Sequence, residues 1–445
     1  MTIVKIKDNG SLPKELFESI PNIVNTVLDN DMTDLEREGI FVFPELFKDL
    51  EGLSKEQKVL SSEKDIYRSS NVMGFIGSGK EKLVIESRFS KGENDFFFRY
   101  LLEHVLDLPH IVDLDSNLNK DSSILDLYIF LFPYYLKKAM RKGIYKIYVR
   151  NEYNDSNVKG TIDINRHIKM NTPFLGNISY SQREFSYENY VIQLIRHTIE
   201  FIKRKKIGYS LLGAVADEVN EINRSTPHFN QLDKMRVIKE NTAKPIQHAY
   251  FKEYRELQRL CIMILQYEKH QIGSGTDRIH GILFDGAWLW EEYMDLLIAP
   301  YFYHPKNKGG KGAQRLFGRE SGRDIGLIYP DFIGIDGEKK TIADAKYKPI
   351  QNIGNKDYLQ VLAYMFRFDS EIGYYLYPDS EENLKLELYL NEGHTYNNSV
   401  KVRDDIKVVK HGLSIPLEDS DYKIFSKKMI ESEKQFLKEF EDLFM

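Results

Sequence analysis

At 445 residues, with 42% hydrophobic, 29% charged and 13% aromatic side chains, the chain has the composition of an ordinary folded protein and exceeds one typical core, so two or three domains are expected. Its single cysteine, Cys261, excludes an intrachain disulfide and fits a reducing compartment, while a net charge of −5 does not advertise a nucleic-acid binder. MTIVKIKDNGS does not open as a signal peptide, and the best apolar run, SILDLYIFLFPYYL at 123–136, is too short for a bilayer and contains Asp126; a cytoplasmic protein without a membrane role is expected.

Residues 12–20 read as a short amphipathic helix behind Ser11, ended or kinked by Pro21, with 22–28 resuming it. Residues 41–53 and 54–64 are charged and expected at the surface. Gly74-x-x-x-x-Gly79-Lys80 satisfies most of a phosphate-binding loop, but Glu81 stands where Ser or Thr is needed, and 83–89 reads as a strand. Gly77-Ser78-Gly79 is therefore better read as a hairpin turn, and no nucleotide is expected on this chain. Residues 96–142 look helical and close at Gly143.

Residues 145–153 alternate, turn at 154–157 and continue as 158–164, a β-hairpin followed by Arg166-His167. Asp163 and His167 are two candidates for metal ligation, too few for a site, and a structural or interface role is preferred. Pro173 and Gly176 break the chain before a long helix over 188–206, and 250–269 forms another, with Cys261 inert and buried inside it.

The stretch richest in chemistry is 325–366, IGLIYPDFIGIDGEKKTIADAKYKPIQNIGNKDYLQVLAYMF. It reads as a strand over 325–335 containing Pro330-Asp331, a turn at Asp336-Gly337, a strand over 341–348, and a helix over 357–368. Asp344 and Lys346, two apart, share a strand face; Gln360 and Tyr364, four apart, share a helix face. Carboxylates on two adjacent strands can converge on one hard cation such as Mg²⁺, with Mn²⁺ as an alternative, and a lysine beside them can orient or deprotonate a bound water. Asp-Ala-Lys alone has almost no weight; the ordered set is what carries the reading. Between 306 and 323, Lys306, Lys308, Lys311, Arg315, Arg319 and Arg323 cluster in a glycine-rich loop suited to a phosphate backbone. After this stretch, 372–377 and 384–390 read as strands of the same sheet, 400–415 as a further hairpin and 420–444 as an amphipathic helix.

Asp331, Asp344 and Lys346 together resemble the PD-(D/E)xK nuclease core, and the Gln360-x-x-x-Tyr364 helix is similar to its RecB-like branch. That superfamily implies an acid from a preceding helix, matched by FDGAWLWEEYMDLLI at 284–298. Glu291 and Glu292 point about 100° apart around a helix, so one of them serves, and Glu291 is favoured by its place in the pattern. KGTIDINRHI, NTPFLGNISYSQREFSYEN and RIHGILFDGAWLWEEY are further similar to McrC-like nuclease subunits of McrBC/LlaJI-type restriction systems. The resemblance implies Mg²⁺ on Asp331, Asp344 and the Ala345 carbonyl, with Glu291 as a direct or water-mediated ligand. Lys346 would act on the water, and Gln360 and Tyr364 would brace the site.

The expected fold is α/β, or α+β overall. Residues 1–170 would dock a partner, 171–270 form a helical middle, and 271–445 carry a PD-(D/E)xK domain on a central mixed sheet. The implied activity is type II/IV-like cleavage of double-stranded DNA, together with an McrB-like AAA+ ring that binds and hydrolyses GTP. The alternatives are a non-cutting activator or scaffold of that ring, and a free-standing RecB-like nuclease.

Overall fold

In a computed structural model, which describes residues 2–38, 40–43, 58–92, 94–106, 122–205, 208–272, 279–307, 312–318, 325–335, 340–379, 385–393, 400–418 and 421–444, the chain begins with strands where its sequence suggests helix. The first segment runs β1 (Thr2–Lys7), β2 (Ser11–Pro13), α1 (Pro21–Asp29), α2 (Met32–Glu38), β3 (Ile40–Phe43), β4 (Leu60–Glu63), β5 (Ile66–Ser69), β6 (Val72–Ser78), β7 (Glu81–Glu86) and α3 (Phe96–Val105). The helix expected over 12–20 is replaced by β2, paired with β5, and one 3-10 turn, because cross-strand pairing overrides a local preference. Pro21 opens α1 rather than ending a helix, since the first helical position needs no N–H. The segment expected at the surface from residue 41 starts inside β3, all four of whose residues are buried. β6 and β7 pair antiparallel with Ser78 opposite Glu81, so Gly79-Lys80 is a two-residue turn with Gly79 at φ 55°. A phosphate-binding loop needs a strand before it and a helix after it, which this arrangement does not supply.

Residues 121–274 form one compact unit. It holds α4 (Ser122–Met140), β8 (Ile147–Asp155), β9 (Thr161–Ile162), α5 (Ile164–Met170), β10 (Ile178–Ser186), α6 (Tyr190–Lys203), α7 (Gly208–Gly213), α8 (Ala216–Ser225), α9 (Lys234–Ala243) and α10 (Lys252–Ile272). The expected 145–164 hairpin does not pair with itself. β10 lies between its arms in the order β8-β10-β9, and Tyr180 stacks on Tyr153 at 5.4 Å. Asp163 caps α5 by accepting from the Arg166 N–H at 3.0 Å, and His167 Nδ1 lies 3.0 Å from Asn171 Nδ2. Cys261 is buried on α10, where burial pushes its thiol up to about 12.

Residues 1–120 and 275–445 form the other unit. Its second segment contains β11 (His280–Asp285), α11 (Gly286–Ile298), β12 (Phe302–Tyr303), β13 (Gln314–Phe317), β14 (Ile325–Ile328), β15 (Phe332–Gly334), β16 (Lys340–Ala345), α12 (Asn355–Phe368), β17 (Ser370–Asp379), β18 (Lys385–Glu392), β19 (Lys401–Ser414) and α13 (Tyr422–Phe444). Strand β11 completes the first sheet, β1-β7-β6-β11-β3, by pairing antiparallel with β6 and parallel with β3. The expected division near 270 lies close to the end of the 121–274 unit, whereas the first strands take one partner from beyond residue 279.

The second sheet is mixed, in the order β12-β15-β16-β17-β19-β18, with β16, β17 and β19 parallel. Adjacent residues on a strand face opposite ways. Tyr374 packs on Phe440 of α13 at 5.3 Å and Tyr375 on Tyr358 of α12 at 6.1 Å, so a helix covers each face. The hairpin expected over 400–415 is one 14-residue strand, β19, paired on both sides. The strand expected over 325–335 breaks at 329–331: β14 pairs with β13, whereas β15 joins the main sheet. Pro330 has no N–H to give a ladder and restricts the residue before it. The expected turn at Asp336-Gly337 lies outside the described residues, but the strands flanking it pair antiparallel, with Phe332 opposite Ala343. No helix among the described residues is long and apolar enough to cross a membrane.

Candidate active site

Strand β16 carries Ile342 into the core beneath α12 and Asp344 onto the same face, buried and in register with Tyr375 of β17. The strand ends at Ala345, earlier than expected. Lys346 N–H nevertheless donates to Leu376 O at 2.8 Å, which keeps its side chain beside Asp344. Lys346 Nζ lies 2.5 Å from Asp344 Oδ2 and 3.9 Å from Asp357 Oδ1, and donates to Gln360 Oε1 at 3.2 Å. Gln360 Nε2 in turn donates to the Tyr364 hydroxyl at 2.7 Å, and that hydroxyl donates to Tyr329 O at 3.1 Å. One chain of contacts thus joins Asp344, Lys346, Gln360 and Tyr364 to the break that precedes Asp331.

Asp331 Oδ2 accepts the Ala345 N–H at 2.9 Å, which ties the Pro-Asp segment to the end of β16. Burial pushes the Asp331 carboxyl well above the usual range, and the Asp344 and Glu291 carboxylates push it further. Burial works to lower Lys346, but Asp344 and Asp331 override it and hold the ammonium above its ordinary range. In this arrangement the lysine's ammonium is held beside Asp344 and Gln360.

Asp344 Oδ2 is buried and, despite its approach to Lys346, accepts no well-aligned hydrogen bond. Like-charged carboxylates, with Lys346 as the one cation described among them, form a donor set whose crowding a divalent cation would relieve. Among the described residues no three His, Cys, Asp or Glu side chains are gathered into a ready-made cluster. Two carboxylates with a backbone carbonyl would be a narrower set, of the oxygen-only kind that Mg²⁺ takes while keeping several of its waters. Of the adjacent acids on α11, Glu292 Oε1 accepts from Trp288 Nε1 at 2.9 Å, whereas Glu291 Oε1 lies 3.5 Å from His304 Nε2 and its charge bears on Asp331.

The family model for the McrBC 5-methylcytosine restriction system component matches residues 67–378, from β5 through β17. The chain belongs to this family. Among solved structures, it is similar to a half-complex from a tetradecameric assembly of Thermococcus gammatolerans McrB AAA+ hexamers with bound McrC, at 14% identity over 97% of this chain and 100% of that one, with a TM-score of 0.47. A cryo-EM structure of the Thermococcus gammatolerans McrBC complex matches at 14% identity over 67% of this chain and 87% of that one, with a TM-score of 0.30. No curated protein matches the chain.

Sequence reasoning missed two side chains that hold the Pro-Asp segment of this McrBC-family protein. His304 Nδ1 donates to Asp331 O at 2.8 Å and Asn307 Nδ2 to Pro330 O at 3.1 Å. With Tyr364 on Tyr329 O, three successive carbonyls are each held by a side chain. The only sequence signal is their place: His304 lies just before the basic stretch and Asn307 inside it. Asp357 is a further addition, since its carboxylate takes Lys348 Nζ at 2.8 Å and faces Lys346. Within the expected basic loop, Lys306 and Arg315 are described, whereas Lys308, Lys311, Arg319 and Arg323 lie outside the described residues. Part of that loop is strand β13, and Arg315 on it offers its carbonyl to Arg367 Nε at 2.7 Å.

Proposed function

We propose that this McrBC-family chain is the McrC-like, DNA-cleaving subunit of a GTP-dependent restriction system and works with an McrB-like AAA+ ring. The observation that carries the reading is the contact chain from Asp344 through Lys346, Gln360 and Tyr364 to the Asp331 segment, with Glu291 facing it. Asp331, Asp344 and the Ala345 carbonyl would hold Mg²⁺, with Glu291 as a direct or water-mediated ligand. The bound ion would neutralise phosphodiester charge and acidify a coordinated water. Lys346, fixed between Asp344 and Gln360, orients the attacking water and offsets charge on the scissile phosphate. Gln360 and Tyr364 keep the lysine on that side. The basic stretch around Lys306 and Arg315 borders this segment and would contact the duplex backbone.

The test mixes the full chain with an McrB-like AAA+ partner, plasmid DNA, Mg²⁺ and GTP, following DNA cutting and GTP turnover together. For Asp344→Ala and Lys346→Ala, loss of cutting with GTP turnover still stimulated is the expected result. A wild-type chain that stimulates GTP turnover but never cuts would replace this reading with a pure activator. Cutting by the chain without partner or GTP would favour a free-standing nuclease.

A further inference from the structure

We propose that His304 is a positioning residue that holds Asp331 and Glu291 in fixed relation through its two ring nitrogens; the proposal rests on the nuclease reading above. The two acids come from separate elements, a strand break and helix α11, and no backbone ladder joins them directly. Asp331 immediately precedes the first paired residue of β15, so its main chain depends on other supports. His304 supplies one. Its side chain is 4% exposed, and the ring packs on Phe332 at 5.1 Å and donates from Nδ1 to Asp331 O at 2.8 Å. That bond places a proton on Nδ1 and leaves Nε2 3.5 Å from Glu291 Oε1, where the ring attracts the carboxylate when Nε2 carries a proton as well. Asn307 reinforces the clamp one carbonyl earlier, on Pro330. Carboxylates that are to share one cation need their relative positions held to about half an ångström. Residues that orient metal ligands from behind typically change affinity about 10–100-fold when removed.

The experiment titrates Mn²⁺, a spectroscopically visible substitute for Mg²⁺, into the purified full-length chain and reads affinity and line shape by electron paramagnetic resonance. Asp344→Ala is the control for the parent reading. If Mn²⁺ binding is unchanged in that variant, the ion sits elsewhere and both the nuclease reading and this inference fall. With a site sensitive to Asp344, His304→Ala should weaken Mn²⁺ about 10–100-fold and broaden its spectrum. His304→Asn, whose amide N–H stands in for Nδ1, should recover part of the loss. Wild-type affinity in His304→Ala, or equal losses in the two variants, overturns the proposal and leaves the parent reading intact. Should His304→Ala fail to fold, His304→Asn decides alone: it keeps the carbonyl bond but loses Glu291, so a several-fold weakening is expected and wild-type affinity refutes the bridge.

Discussion

The two sheets of the discontinuous unit both bury acids near their ends, and they treat them in opposite ways. In the first sheet Asp8 is buried, and burial raises its carboxyl, but Arg88 offsets the cost with its backbone N–H at 2.5 Å, its Nε at 2.8 Å and a further guanidinium bond. In the second sheet burial raises Asp331, and the Asp344 and Glu291 carboxylates raise it further, outweighing Lys346 and the Ala345 N–H, which act the other way. A buried acid matched by an opposite charge is part of the scaffold. One whose neighbours include two acids of its own sign fits the proposed site, where a bound cation would relieve the crowding.

The largest effect should come from breaking the second arrangement. Asp344→Ala removes the acid that pairs with Lys346, and DNA cutting should fall to background, while calorimetry of the metal-free chain shows a smaller loss of stability than Asp8→Ala, because a repulsion on Asp331 is relieved and Lys346 keeps Gln360 at 3.2 Å and Asp357 at 3.9 Å. Lys346→Ala should cost roughly a hundred- to a thousandfold in cutting rate, as loss of a preorganised charge does elsewhere. Asp8→Ala should do the reverse. It leaves the Arg88 guanidinium, 15% exposed at its side chain, without its main partner, and should cost about 3–5 kcal/mol of stability in denaturant melts. If Asp8→Ala is silent and Asp344→Ala unfolds the chain, the distinction between scaffold acid and site acid is wrong.

A third acid sharpens the contrast through pH. Asp95 caps α3 and accepts the Ser87 N–H at 2.7 Å, with Lys7, Glu86 and Glu418 as the charged groups around it. Burial raises it from 3.8 to about 7. Because the folded value lies above the unfolded one, its contribution to stability is complete below about pH 4 and is lost as pH rises to about 7. Asp95→Asn should flatten that part of the stability profile. An unchanged slope would mean that the Ser87 N–H and Lys7 keep the carboxylate charged.

What the sequence made legible follows the same division. Asp344 with Lys346, and Gln360 with Tyr364, lie within short periodic stretches, where strand and helix repeats place side chains together without knowledge of the fold. Asp331 was found through its neighbour Pro330, though the strand around it breaks. His304, Asn307 and the pairing of β11 with β6 were invisible because each joins residues far apart in sequence, with no local period to announce them. Strand β10 is hard to read because Pro173 and Gly176 break the chain just before its alternation begins. The 12–20 helix failed for the converse reason: a locally plausible helix lost to an edge that only β5 supplies.

The smallest test asks whether the two sheets act separately. Tyr347 follows Lys346 directly, yet its hydroxyl lies 2.7 Å from Ser87 Oγ and 3.3 Å from Met73 Sδ, and its ring meets Phe89 at 5.0 Å. It therefore reaches from the second sheet's site into the first sheet's core. Tyr347→Phe keeps the ring and removes the hydrogen bond, which should cost about 1 kcal/mol, or somewhat more because Ser87 is left buried. Cutting should be nearly unchanged, because Lys346 is held by its own N–H on Leu376 O and by Asp344, neither of which involves the phenol. A tenfold fall in cutting with only that small stability change would show that the scaffold sheet sets the lysine's position through Tyr347. The two sheets would then be one machine rather than a support and a site.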